Sequence, residues 1–167
     1  MLKPEEIAKE LKLQPLPEEG GFYAETYKSP IELPPNIVSP PLTSARPAST
    51  AIYYLLTPDT FSALHRLPND EIFHFYLGDP VELLELYGDG QGRVVRLGQG
   101  IFEGMRPQHV VKGGIWQGSR LIAGGSFALL GTTVTPGFSF QDYEAGRREE
   151  LVNLYPDFGQ LIRRLTR

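Results

Sequence analysis

Glycine and proline punctuate this chain from end to end: 18 and 15 of its 167 residues, spread rather than pooled. Proline fixes φ and removes a backbone donor, and glycine weakens the interior of a helix or strand. A chain divided this often cannot build long helices. It can build many short strands joined by turns, the pattern of an all-β sandwich or barrel. From residue 50 the apolar runs fit that pattern. TAIYYLL, FSALHRL, EIFHFYL and VELLELY are short and rich in aromatic and aliphatic residues, with breaks at PND, GDP and GDGQG. GRVVRLGQG, QHVVKGGIWQGSRL and FALLGTTVTPGF continue the series, so a β region is expected over about 20–140.

The ends read differently. Over 4–13, Pro4, Glu5 and Glu6 suit a first helical turn and Ile7 and Leu11 share a face, which predicts one amphipathic helix. Over 146–166, Leu151, Leu154, Phe158, Leu161 and Leu165 fall at helical spacing around Pro156, predicting short helices packed outside the barrel. The stretch 29–48, rich in proline and serine, is expected as a long surface loop, a lid or a passive connection. One domain over 1–167 accommodates all of this.

Charge and composition exclude several classes of function. Sixteen basic against twenty acidic residues leave a net charge of −4, so nothing electrostatic draws the chain to nucleic acid or an anionic membrane. The absence of cysteine rules out disulfides, thiolate zinc sites and cysteine nucleophiles. No apolar run approaches the roughly 20 residues a bilayer crossing needs, and MLKPEEIAKELKL is charged rather than signal-like. A cytoplasmic protein with a small-molecule partner is the expectation.

The stretch SALHRLPNDEIFHFYLGDP concentrates the chemistry. Paired as an antiparallel hairpin about Pro68, it sets His65 opposite Glu71 on one face, with Phe61, Ala63, Leu67, Phe73 and Phe75 around them. His74 then points to the other face. An imidazole and a carboxyl inside an apolar wall are costly unless they are used or mutually satisfied. A carboxylate on one ring nitrogen fixes the tautomer and favours the charged ring, leaving the other nitrogen to take a proton.

These residues resemble the cupin superfamily, whose first motif has the form G-x5-H-x-H-x3-E-x6-G. His65, Leu67, Glu71 and Gly78 stand at its last four places, and Val111, Gly113, Trp116 and Arg120 stand at those of the second motif, P-x-G-x2-H-x3-N. GGFYAETY, TAIYYLL, LHRLPNDEIFHFYLGDP, VVKGGIWQ and TVTPGFSFQDYE together resemble the branch called cupin type 5. The resemblance implies a double-stranded β-helix, or jelly-roll, barrel with short N- and C-terminal helices, and a homodimer. It also implies that Leu67 and Trp116 stand where two of four metal ligands would. With one histidine and one glutamate left, no tightly bound metal and no other cofactor is expected.

Metal-free cupins include sugar-nucleotide epimerases, and by that likeness His65 and Glu71 are candidate catalytic residues with Tyr53 or Tyr23 as a partner acid. Trp116, Phe73 and Phe75 are candidate ring-stacking walls, and Gln108, Gln117, Glu25 and Tyr23 candidate orienting groups. Two readings compete: an isomerase or epimerase acting on a small cyclic or sugar-like molecule, and a binding or sensing module without chemistry. Leu67 and Trp116 disfavour a third, a metal-dependent enzyme.

Overall fold

Helix α1 (Pro4–Glu10) opens the computed structural model, which describes residues 2–37, 41–42 and 44–167. Strands β1 (Gln14–Pro15), β2 (Phe22–Lys28), β3 (Glu32–Leu33), β4 (Arg46–Pro47) and β5 (Thr50–Leu56) follow. Then come β6 (Phe61–Arg66), β7 (Asp70–Gly78), β8 (Val81–Leu86), β9 (Gly92–Leu97), β10 (Gln108–Val111), β11 (Trp116–Leu121), β12 (Ala128–Thr135) and β13 (Glu144–Ala145). Helices α2 (Arg148–Leu154) and α3 (Gly159–Arg164) close the chain around a 3-10 turn at Pro156–Phe158.

The strands form two facing sheets. One runs β1-β2-β5-β12-β7-β10 and the other β13-β6-β11-β8-β9, with β3 and β4 as a separate pair. All pairings between these strands are antiparallel. The all-β jelly roll expected from the sequence is the architecture that forms, and it closes as two sheets rather than leaving one apolar face wet.

Side-chain alternation sorts the apolar residues into layers. Tyr54, Phe73, Phe75, Leu83 and Leu130 pack between the sheets. Leu64, Leu84 and Leu86 face outward from the five-stranded sheet and are covered by Leu151, Ile162 and Leu165 of the C-terminal segment. Leu55, Phe127 and Leu129 face outward from the other sheet and are covered by Ile7 of α1. Each fully buried leucine contributes about 1.5–3 kcal/mol of transfer free energy. Double-sided cover explains why TAIYYLL and VELLEL read as nearly continuous apolar runs.

Three expectations change. Helix α1 stops at Glu10 rather than Leu13, because Lys12 adopts a left-handed φ of 54° that no helix continues through. The stretch 29–48 holds β3, β4 and a 3-10 turn at Pro35–Ile37, while residues 38–40 and 43 lie outside the described residues. Most consequentially, β6 and β7 do not form a hairpin. β6 pairs with β11 and β13, and β7 with β12 and β10, so the Pro68–Asn69 turn carries the chain from one sheet to the other. Asn69 Nδ2 anchors that crossover by donating to the Pro136 carbonyl at 2.8 Å. Among the described residues no helix is long and apolar enough to cross a membrane.

Candidate functional site

Against the inner face of the six-stranded sheet lies a cavity of about 260 Å³. Strand β2 supplies Tyr23 and Glu25 to its lining, β5 supplies Ile52 and Tyr54, β7 supplies Glu71, and β12 supplies Thr132 and Val134. Leu16 and Glu19 enter from the segment before β2, Leu67 from the crossover, and Phe138 and Phe140 from the loop after β12.

The turn Glu18–Gly21 brings Glu19 there. Gly20 and Gly21 have φ of 101° and 71°. A Cβ on Gly20 would meet the Phe61 carbonyl oxygen at 2.5 Å, and one on Gly21 would meet the Tyr54 ring at 2.8 Å. Only glycine serves at both places, so the GG of the sequence seats the turn directly on Tyr54. Tyr54 OH donates to the Gly20 carbonyl at 2.9 Å, and Ser62 Oγ donates to Glu19 Oε1 at 2.6 Å.

Beside the cavity mouth, Arg46 holds the loop after β12. Its Nε and Nη2 donate to the two oxygens of Asp142 at 2.9 and 2.8 Å, and Nη1 donates to the Ser44 and Ala45 carbonyls at 3.0 Å each. Both charged side chains are nearly sealed, 3% and 4% exposed. This bidentate pair fixes the backbone that carries Phe138 and Phe140.

Glu71 is the most buried of the carboxyl-bearing residues lining the cavity. The residue is 7% exposed, and Gln117 Nε2 donates to its Oε2 at 2.7 Å. Burial pushes its pKa up to about 7, the Glu19 carboxyl pushes the same way, and His65 and hydrogen bonds from Thr132 and Gln117 only partly oppose them. Near neutrality this carboxyl therefore both holds and releases a proton.

His65 lies across from it on the other sheet, 1% exposed. Its Nδ1 donates to the Ala63 carbonyl at 2.7 Å, and its ring stacks on Tyr143 with centroids 4.9 Å apart. His65 and Glu71 thus approach from facing sheets, not from opposed positions of one hairpin, and the cavity lining includes Glu71 but not His65. A β-bulge contributes: Gln117 pairs with His65 and Ser119 with Ser62, so β6 carries one extra residue there. Beyond the bulge, Phe61 turns outward onto the layer under the C-terminal helices, away from the face expected for it.

A second buried carboxyl gives the contrast that identifies the first. Glu85, 2% exposed, is Gln117's partner on β8. Its burial alone would raise its pKa. His109 Nε2 at 2.7 Å, Tyr87 OH at 2.8 Å and Arg93 instead hold it below the usual carboxylate range. Glu85 has basic partners and is structurally satisfied; Glu71 has neutral donors and opens on a cavity. His109, on β10, belongs to the first of these clusters.

Several expected site residues lie elsewhere. Tyr53 points away from the cavity, edge-on to Tyr76 at 6.1 Å and packed in the layer under α1, because alternation turns its neighbour Tyr54 inward. Trp116 likewise faces outward, packed under the C-terminal helices with the Arg66 guanidinium 4.6 Å from its ring centre, while Gln117 turns inward. Gln108 is exposed on the outer face, its Nε2 3.3 Å from His74 Nδ1. Phe73 and Phe75 do face inward but are packed in the core rather than lining the cavity. Tyr23 and Glu25 do line it. Sequence reasoning missed Glu19, Tyr54 and Thr132; the EEGG turn was the available signal for Glu19. Trp116 is the sole tryptophan, so ligand entering the cavity is expected to leave its emission maximum unshifted. A ligand-dependent shift in a fluorescence titration would contradict that placement.

The residues at the cupin metal positions do not fit a metal. His65 Nδ1 is spent on a carbonyl, Leu67 presents an aliphatic chain to the cavity, Glu71 is held by Gln117, and Trp116 points away. Among the described residues no group of three or more histidine, aspartate and glutamate side chains converges as a metal site would need.

Comparison with known proteins places this geometry in a family. Residues 5–146 match the family model described as Cupin superfamily (DUF985). Uncharacterized protein YML079W of Saccharomyces cerevisiae is 35% identical over 134 residues, 75% of this chain and 66% of the yeast protein. The crystal structure of protein SO0799 from Shewanella oneidensis superposes with a TM-score of 0.88 at 31% identity, covering 100% of this chain and 99% of that one. A hypothetical protein from Leishmania major gives 0.89 at 30% identity, with 99% of each chain covered. The chain belongs to the DUF985 family of the cupin superfamily.

Proposed function

We propose that the cavity binds a small cyclic or sugar-like molecule and that Glu71 moves a proton on it, making the chain a metal-independent isomerase. The observation that carries this reading is a buried carboxyl on the cavity wall, poised near neutrality and held by neutral donors alone. A general base works best with a pKa near the working pH. As carboxylate, Glu71 takes the proton from the hydroxyl-bearing carbon beside the ligand's carbonyl, leaving an enediolate. As carboxylic acid, it returns that proton to the former carbonyl carbon while the hydroxyl proton passes to the former carbonyl oxygen, so nothing is consumed. Tyr23 and Thr132, in the same lining, orient the ligand's hydroxyls. His65 is a positioning residue here, acting electrostatically against the rise in the Glu71 pKa from across the interior.

The test is proton NMR of keto and amino sugars incubated with the full chain in D2O. Deuterium is expected to wash into the position beside the carbonyl, and Glu71→Gln is expected to slow this about 100-fold. Wash-in unchanged by Glu71→Gln would reject the mechanism. Native mass spectrometry of protein purified from cells, recovering a bound compound that the protein leaves unaltered, would favour the non-catalytic binding reading instead. That second reading draws on the same lining, where Tyr23 and Thr132 suit a ligand-orienting wall as well as a reacting one.

A further inference from the structure

The cavity's charge and rings together restrict what fits. Three carboxyl side chains line it, Glu19, Glu25 and Glu71, and no lysine, arginine or histidine is among its lining residues. Four rings share that lining: Tyr23, Tyr54, Phe138 and Phe140. A carboxylate or phosphate ligand would bring further negative charge against Glu71, whose surroundings already disfavour its own. A neutral ligand leaves those carboxyls uncompensated. A cationic nitrogen answers both features, since carboxylates pair with it and aromatic faces attract it through their quadrupole.

Gln117, 2% exposed, donates its amide N–H to Glu71 from behind the lining, so the carboxyl is met there by a neutral donor. The contrast with Glu85 is instructive: there the chain supplies the Arg93 guanidinium and the His109 imidazole as basic partners of a buried carboxyl. At Glu71 the lining supplies none.

We infer that the natural ligand carries a positively charged nitrogen, an amine or quaternary ammonium, seated between the aromatic rings and the Glu19, Glu25 and Glu71 carboxyls. This rests on the cavity reading above and names the ligand class it takes. The groups facing Glu71 make binding depend on pH. Glu19 comes from the loop before β2, Tyr54 from β5, and His65 from β6, while β11 and β12 contribute the neutral Gln117 and Thr132. Because the cation stabilises the ionised carboxyl, binding releases a proton and tightens as Glu71 ionises.

The probe pair is choline and its uncharged isostere 3,3-dimethyl-1-butanol, titrated into the full chain by calorimetry at pH 6 and pH 8. Choline is expected to bind at least about ten-fold tighter than the isostere at pH 8. Its affinity is expected to rise between the two pH values while that of the isostere stays level. Glu71→Gln is expected to remove the pH dependence and most of the preference, and its own urea denaturation curve checks that it folds. Equal binding of the two probes, binding of the isostere alone, or no binding of either would overturn the charge assignment. Glu71-dependent deuterium wash-in would survive any of these results, and a choline preference would survive a failure of wash-in, so the two readings fall separately.

Discussion

Glu71→Gln is expected to stabilise the protein above pH 7 by up to about 3 kcal/mol and to leave it nearly unchanged below pH 4.5. In the unfolded chain this carboxyl ionises around its ordinary value of 4.5; in the folded protein it waits until about 7. Below 4.5 both states hold the proton and the site contributes nothing to pH dependence. Between 4.5 and 7 the unfolded chain releases the proton that the native cavity keeps, so native stability falls as pH rises. Above 7 both states are ionised and the full penalty of a desolvated carboxylate remains. Glutamine keeps the shape and can accept from Gln117 without that charge. Urea denaturation of both proteins from pH 4 to 8.5 reads the difference. A gap that does not grow across that window would mean Glu71 ionises in the cavity as it does in water. A natural protein that accepts such a cost near neutrality is paying for something other than stability.

The second large effect is expected at the mouth. Asp142→Ala removes the bidentate carboxylate from the Arg46 guanidinium, which is 3% exposed. Removing one partner of a buried ion pair costs about 3–5 kcal/mol, because the remaining charge stays desolvated. Chemical denaturation of the variant measures the loss. Replacing both residues, as Arg46→Met with Asp142→Leu, is expected to recover much of it, since an apolar pair of similar volume carries no orphaned charge. A single-variant loss under about 1 kcal/mol would show that the pair is solvated, with little hold on the Phe138–Phe140 loop.

Particular residues show what was legible in the sequence and what was not. The breakers and the apolar runs placed the two-sheet architecture, because short strands with turn signals have few other ways to bury both faces. Parity also put His65 and Glu71 in the interior. It could not tell two opposed positions on one hairpin from two positions on facing sheets, since both arrangements turn the residues inward. The motif spacing led to Trp116, yet Gln117 is the inward residue. A single-residue shift inverts every side chain of a strand, and the bulge between β6 and β11 shows how locally such a shift arises. Tyr53 and Tyr54 were separated by the same margin. Glu19 escaped notice because it reaches the cavity from a loop, where no periodicity operates; the paired glycines after it were the trace of a backbone pressed against a ring.

The match to the family model ends at residue 146, and α2 and α3 begin beyond it. Those helices nevertheless roof Leu64, Leu84, Leu86 and Trp116, and Leu64 N–H donates to the Leu165 carbonyl at 2.7 Å. The span of the family model is thus smaller than what must fold together, and the Shewanella and Leishmania structures match the chain through these helices as well. A fragment trimmed to residue 146 would present a sticky, water-exposed wall, and the C-terminal helices act as the barrel's solubility shield.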